Sequence, residues 1–270
     1  MSHLFQDILV VSDLDGTLIG RDFQIPSRNF AALDRFKQAG GRFAIATGRS
    51  MESGRRYAEE TRPNAPCVVL NGAVLYDYET EKIIWDHPLP DTSSVYLDRI
   101  LERFPNIGME VFIGHSIHIV RYNSVVRAHI EHESLTVSEG PLSGVPGKWY
   151  KALMAIEPGQ MAEVQAFVNS FPHEDVRFVA SSPTYFEMLP AGVDKGTAFA
   201  ELLRILGIRW EDSYAVGDYY NDLELLAAAG TSAVPANAPD DLKRQAALTL
   251  CHCDDGVVAD LVEHIEANRG

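Results

Sequence analysis

The chain has 270 residues, 46% of them hydrophobic and 23% charged, which is enough to bury a core in one large domain or two modest ones and leaves no tract for extended disorder or a solenoid. Its formal net charge of −15 excludes general electrostatic binding to nucleic acid or to an anionic membrane, since both need a basic face. No apolar run is long enough to span a bilayer, no basic segment leads into a signal-type stretch before residue 8, and the three cysteines make neither an even framework nor a CxxC pair, so cytoplasmic residence is expected.

In chain order, short apolar runs alternate with helical patterns over the opening third, the mark of βαβ units and a parallel sheet. Residues 8–12 are the first strand. Residues 27–40 form a crossover helix, with Phe30, Leu33 and Phe36 on one face, Ser27 placed to cap it and Gly40 to end it. Residues 43–46 and 68–70 are two further buried strands. From about 83 to 189 the texture changes to longer alternating strands: 109–113 and 117–121 joined at 114–116, then 150–156, 176–180 and 185–189, with helices over 92–104 and 160–171. This is an α+β insert. The earlier pattern returns in a helix that starts at Lys195 and closes at Gly207, followed by strands 214–216, 232–234 and 248–251 and a helix over 257–267.

Four segments at predicted strand ends carry chemistry. Asp13-Leu14-Asp15-Gly16-Thr17-Leu18 follows the first strand, where open parallel sheets form ligand crevices. The Asp13 carboxylate is an available nucleophile toward phosphorus, and Asp15 is placed to act as general acid and then base. Gly16 lets the backbone turn and Thr17 is expected to hold that turn. Thr47-Gly48-Arg49 follows the second strand, where the Thr47 hydroxyl and the Gly48 N–H could donate to phosphate oxygens. Lys195 could neutralise Asp13 and a transferring phosphoryl group. In Gly217-Asp218-Tyr219-Tyr220-Asn221-Asp222, Asp218 suits direct ligation of magnesium, Asp222 one helical turn on could hold a metal-bound water, and Asn221 could orient phosphate. Each segment alone also reads blandly, as an Asp-Gly turn, a helix cap, a surface lysine or an acidic helix start. Their joint presence in order is what counts.

Together they resemble the four motifs of the haloacid dehalogenase-like hydrolases, especially Cof-like phosphatases with a large cap. The resemblance implies an α/β fold, with a Rossmann-like parallel-sheet core of residues 1–82 and 190–270 and an inserted α+β cap of residues 83–189 that selects substrate. It implies Asp13 as nucleophile, Asp15 as acid and base, and Thr47, Gly48, Lys195 and Asn221 as phosphate contacts. Magnesium would be held by Asp13, the Asp15 carbonyl and Asp218, with Asp222 behind them. The expected partner is a small phosphorylated metabolite, a sugar phosphate by resemblance, acted on by a monomer or small homo-oligomer through an aspartyl phosphate. A phosphomutase and a non-catalytic phosphometabolite-binding protein are the alternatives. The stretch 233–238 departs from the usual glycine-containing version, with Pro235 and Ala236, which leaves the role of Asn237 open. Cys251-His252-Cys253 reads as a strand end, and the pairs His115/His118 and His129/His132 as surface or packing residues.

Overall fold

The computed structural model describes residues 4–133 and 135–269, with the side chains of His132, Glu133 and Arg269 outside that description. It separates into two compact units: Met1–Arg49, Gly54–Trp85 and Asp194–Gly270 form the first, and Ser50–Ser53 with Asp86–Val193 the second. The chain passes between units after Trp85 and after Val193, a few residues later than the change of texture at 82 and 189.

The first unit holds β1 (Leu9–Asp13), α1 (Ser27–Gln38), β2 (Arg42–Ala46), α2 (Met51–Thr61, its first turn grouped with the other unit), β3 (Cys67–Val69), β4 (Val74–Asp77) and β5 (Lys82–Asp86). The second holds α3 (Ser93–Arg103), β6 (Gly108–Ile113), β7 (Ser116–Arg121), α4 (Ser124–Glu133), β8 (Val137–Glu139), β9 (Trp149–Ala155), α5 (Met161–Val168), β10 (Val176–Ala180) and β11 (Tyr185–Pro190). The chain then returns to the first through α6 (Lys195–Leu206), β12 (Ser213–Val216), α7 (Leu223–Ala228), β13 (Thr231–Val234), α8 (Asp240–Gln245), β14 (Leu248–Thr249) and α9 (Val257–Arg269).

The first unit is built on an eight-stranded sheet in the order β14-β13-β12-β1-β2-β3-β4-β5. The strands from β14 to β3 pair in parallel, and β4 turns back antiparallel to β3. β1 is buried at all five positions, as a parallel strand covered on both faces must be. The chain leaves β1 toward β2 on one side, and passes from β12 to β13 on the other. Right-handed crossovers in opposite directions put α1 and α7 on opposite faces and open a crevice at the carboxyl end of β1. α1 packs with α9, and α6 with α7. The expected Ser27 cap is not made: Pro26 precedes the helix and Ser27 is its first residue. Strand β14 stops at Thr249 instead of reaching Cys251, and residues 253–255 form a 3-10 turn.

The second unit is a six-stranded sheet in the order β10-β11-β9-β6-β7-β8, antiparallel except for β7 with β8. One face is apolar, with Met109, Val111, Ala152, Met154, Phe186 and Met188 packed with Leu97 and Ile100 of α3 and Val164 and Val168 of α5. The alternate positions of the same strands carry Glu110, Lys151 and Glu187, all buried.

Candidate active site

The site grows from the end of β1. Asp13 is the last residue of that strand, and the chain folds over it as Leu18 N–H donates to the Asp13 carbonyl (3.2 Å) and Ile19 N–H to that of Leu14 (3.0 Å). Gly16 turns the loop at φ +80°, and a Cβ there would run into the Asp218 carboxylate, so only glycine fits. The Thr17 hydroxyl does not close the turn as expected; it reaches Asp218 Oδ1 at 3.4 Å. Asn237 fixes the loop from outside: its Nδ2 donates to the Gly16 carbonyl (2.8 Å) and its Oδ1 accepts the Cys253 N–H (3.0 Å). Asn237 is therefore a strut, a role its own short motif did not reveal.

Lys195 enters from the first turn of α6. Asp194 caps that helix in a reciprocal box, accepting the Thr197 N–H (2.7 Å) while Thr197 Oγ1 accepts the Asp194 N–H (3.0 Å). Gly72, at φ +102°, lies so close that a Cβ would strike the Asp194 carbonyl, which ties the turn after β3 to the helix start. A lysine at a helix N-terminus opposes the macrodipole, and this one is 1% exposed. Its Nζ donates to Asp13 Oδ1 and to Asp222 Oδ1, each at 2.6 Å. Two carboxylates explain how a buried ammonium is held at the unfavourable end of a helix.

Asp222 is nearer the centre than the sequence implied. Residues 220–222 form a 3-10 turn, and α7 begins only at Leu223. The tighter turn folds the Asp222 side chain back, so that its Oδ2 accepts the N–H groups of Asp218 (3.2 Å) and Tyr219 (3.3 Å). Carboxylate oxygens of Asp13, Asp218 and Asp222 all lie within 4.8 Å of one another. Asn221 is exposed on the same turn and makes no side-chain hydrogen bond among the described residues.

Burial, and then repulsion from Asp222, push the Asp13 carboxyl well above the usual carboxylate range, despite Lys195. The same causes raise Asp218 to about 6. Burial works against the Lys195 ammonium, but Asp13 and then Asp222 outweigh it and hold its pKa above the ordinary value. With all three carboxylates ionised, one ammonium leaves two negative charges in a largely buried cluster of oxygen donors, which is why protons are held there so firmly. A hard divalent cation fits that charge and that donor set.

Asp15 stands apart, half-exposed, with both carboxylate oxygens clamped by Arg49: Nε donates to Oδ2 (2.9 Å) and a terminal nitrogen to Oδ1 (2.7 Å). In the sequence Arg49 is visible only as the third residue of its motif, and nothing in type or spacing points to this clamp. Thr47 is buried, and its Oγ1 accepts the Arg49 N–H (3.1 Å), an arrangement that orders the turn after β2. Gly48 sits beside Asn71, whose Oδ1 would be 2.7 Å from a Cβ at that position. Leu70 and Asn71 both hold positive φ (52° and 56°), backbone strain concentrated next to the site. No cysteine is poised as a nucleophile, for burial raises Cys67 to about 12 and Cys251 and Cys253 to about 11.

The profile of the haloacid dehalogenase-like hydrolases matches residues 10–262. The chain is 23% identical over 251 residues to the pyridoxal phosphate phosphatase of Escherichia coli, covering 90% of this chain and 92% of that one. It is 23% identical over 283 residues to a 5-amino-6-(5-phospho-D-ribitylamino)uracil phosphatase of Bacillus subtilis, covering 95% and 97%. A haloacid dehalogenase-like hydrolase from Bacteroides thetaiotaomicron superposes with a TM-score of 0.88 at 25% identity, over 96% of this chain and 99% of that one. A match over nearly the whole chain, on the motifs that meet at the end of β1, makes this protein a member of the haloacid dehalogenase-like hydrolase family.

Proposed function

We propose that this protein is a magnesium-dependent phosphatase that hydrolyses small phosphorylated metabolites, sugar phosphates among them, through an aspartyl phosphate on Asp13. The observation that carries the reading is the largely buried cluster at the end of β1, in which Asp13, Asp218 and Asp222 gather around a single ammonium and, when ionised, are two charges short of neutrality. Named phosphatases among the relatives support the reaction class.

In this reading the Asp13 carboxylate attacks phosphorus and the ester oxygen departs with a proton from Asp15; water, deprotonated by Asp15, then cleaves the acyl phosphate and regenerates Asp13. Lys195 holds Asp13 ionised and oriented, and offsets charge on the phosphoryl oxygens. Thr47, the Gly48 N–H and Asn221 contact the phosphate. Magnesium held by Asp13, Asp218 and the Asp15 carbonyl, with Asp222 behind, would supply the missing positive charge. The Arg49 clamp must open, or pass to the substrate phosphate, for Asp15 to carry a proton. The second unit, outside all four motifs, is assigned to substrate selection.

Phosphate release from a panel of sugar, nucleotide and cofactor phosphates, with magnesium and with chelator, tests the reading. Asp13→Asn is expected to lower turnover on the order of 10⁴-fold or more, and near-normal release by that variant overturns the nucleophile assignment. Asp15→Asn is expected to slow alkyl phosphates far more than activated aryl phosphates, whose leaving groups need no proton. Equal losses on both would remove Asp15 from the acid role.

A further inference from the structure

We propose that His252, Cys253 and Asp254 form a second cation site, specific for a thiophilic divalent ion such as zinc and separate from the carboxylate cluster. The three donors meet on the 3-10 turn that follows β14. Cys253 Sγ lies 3.5 Å from His252 Nδ1 and 3.7 Å from Asp254 Oδ1, and His252 Nδ1 lies 3.5 Å from Asp254 Oδ2. One ligand atom from each residue falls within 4.8 Å of the others. A tetrahedral ion, at about 2.3 Å from sulfur and about 2.0–2.2 Å from nitrogen and oxygen, needs ligand atoms about 3.3–3.6 Å apart. Cys253 and His252 already stand at that spacing, while Asp254 meets them through different oxygens, so a small rotation of its carboxylate is needed to present one oxygen to the ion.

The donor chemistry decides which ion. Sulfur and imidazole favour zinc and its neighbours over magnesium, whereas the Asp13, Asp218 and Asp222 group offers oxygen alone. The two clusters therefore sort cations by hardness. Cys253 is buried, while the side chains of His252 and Asp254 are each 30% exposed, which gives the ion an entry path and leaves its fourth position to water. On binding, the Cys253 S–H proton passes to solvent and the thiolate and the Asp254 carboxylate together neutralise the ion. His252 gives up the Asp254 N–H it accepts at 3.2 Å. Arg21, whose Nε donates to Asp254 Oδ2 (2.7 Å) and whose N–H donates to Oδ1 (2.9 Å), must yield one of those oxygens to the ion.

The position gives such an ion a consequence. The Cys253 N–H and the Gly16 carbonyl are bridged by Asn237, and Arg21 continues the same loop, so the 252–254 turn holds the nucleophile loop at two points. An ion that draws Asp254 from Arg21 loosens one hold and keeps the other.

Titration of the reduced, metal-free full chain with cobalt(II) and zinc(II), in excess magnesium chloride so that the carboxylate cluster is occupied, tests the site without any substrate. One equivalent of cobalt is expected to develop a thiolate-to-metal charge-transfer band, which zinc then displaces. Cys253→Ser should abolish the band, His252→Asn should weaken binding at least tenfold while keeping an acceptor for the Asp254 N–H, and Cys251→Ser should change neither. Circular dichroism confirms that each variant is folded, and His252→Asn stands in if Cys253→Ser is not. Absence of the band, its survival in Cys253→Ser, or binding that magnesium competes away would overturn the proposal. None of these outcomes depends on whether the protein hydrolyses phosphate esters.

Discussion

In the unit that carries Asp13, two buried carboxylates and the part-buried Asp218 cluster around one ammonium, which pairs with Asp13 and Asp222; in the unit that carries β6, β9 and β11, each carboxylate buried among the described residues faces a basic side chain of its own. Lys151 Nζ meets Glu187 Oε1 at 3.3 Å and lies 4.3 Å from the centre of the Phe112 ring, and Ser181 Oγ donates to the same Glu187 oxygen (3.0 Å). Glu110, fully buried, has both oxygens 2.9 Å from His129 Nδ1. Strand register accounts for the pairing, since Glu110 and Glu187 both flank Leu153 while Lys151 is opposite Phe112. Matched pairs satisfy themselves. An unmatched cluster relieves its repulsion by taking up protons or a cation, and that difference separates a site suited to receive a cation from one built to hold a sheet face in register.

The largest effect that would sharpen the contrast is expected at Lys195. Lys195→Ala leaves Asp13 and Asp222 without their buried partner and should cost about 3–5 kcal/mol of unfolding free energy along with turnover. Denaturant melts with and without magnesium read it, and the variant should recover more stability from magnesium than the parent does. Lys151→Met comes next, at about 3 kcal/mol, for it strands Glu187. The double change Lys151→Met with Glu187→Leu should return to within about 1 kcal/mol of the parent, because it removes both desolvation costs. If the double variant is no better than the single, the pair is part of a larger polar network and the contrast with the carboxylate cluster fails.

The smallest effect is in pH. Asp218 in the metal-free fold titrates at about 6 against 3.8 for the unperturbed group, and Asp13 is shifted the same way. The folded state then holds protons that the unfolded chain has already released, so the Asp218 contribution to stability falls as pH rises from near 4 to about 6, and Asp13 adds a loss of the same sign. The Asp218 share is at most about 3 kcal/mol, reduced by solvent screening because the side chain is part-exposed. Magnesium binds the deprotonated cluster, and its stabilising shift in melting temperature should grow across the same interval. A magnesium shift equal at pH 4.5 and pH 7.5 would show that the ion binds elsewhere.

Much of the architecture was legible because it is written in local pattern. Strand β1, helix α1 and the hairpin of β6 and β7 follow from apolar periodicity and from punctuation at Gly40 and Gly114, and each lies within two residues of its expected bounds. Helices α2 and α4 were not legible. α2 (Met51–Thr61) does bury a regular stripe, Met51, Gly54, Tyr57, Ala58 and Thr61, but small and polar residues make up most of it, so it does not stand out as an apolar pattern, and α4 (Ser124–Glu133) breaks its apolar positions with charged and histidine side chains. The residue types of the candidate site were equally open to reading, since carboxylates after a buried strand and a glycine between them imply chemistry at a sheet end.

What the linear order could not decide was which of those groups meet. Asp13 and Lys195 are 182 positions apart, and only the return of α6 to the sheet brings them to 2.6 Å. Asp222 belongs to the cluster because a 3-10 turn replaced the expected helical turn, a choice made by packing against Gly217 and the backbone of Asp218. The Arg49 clamp on Asp15 and the Asn237 strut on Gly16 are likewise contacts between loops 34 and 221 positions apart. Residue type and spacing determine local conformation and available chemistry, because dihedral preference and amphipathic period act over a few residues. Charge balance, burial and the spacing of ligand atoms arise where distant strand ends converge, and the tertiary fold alone sets them.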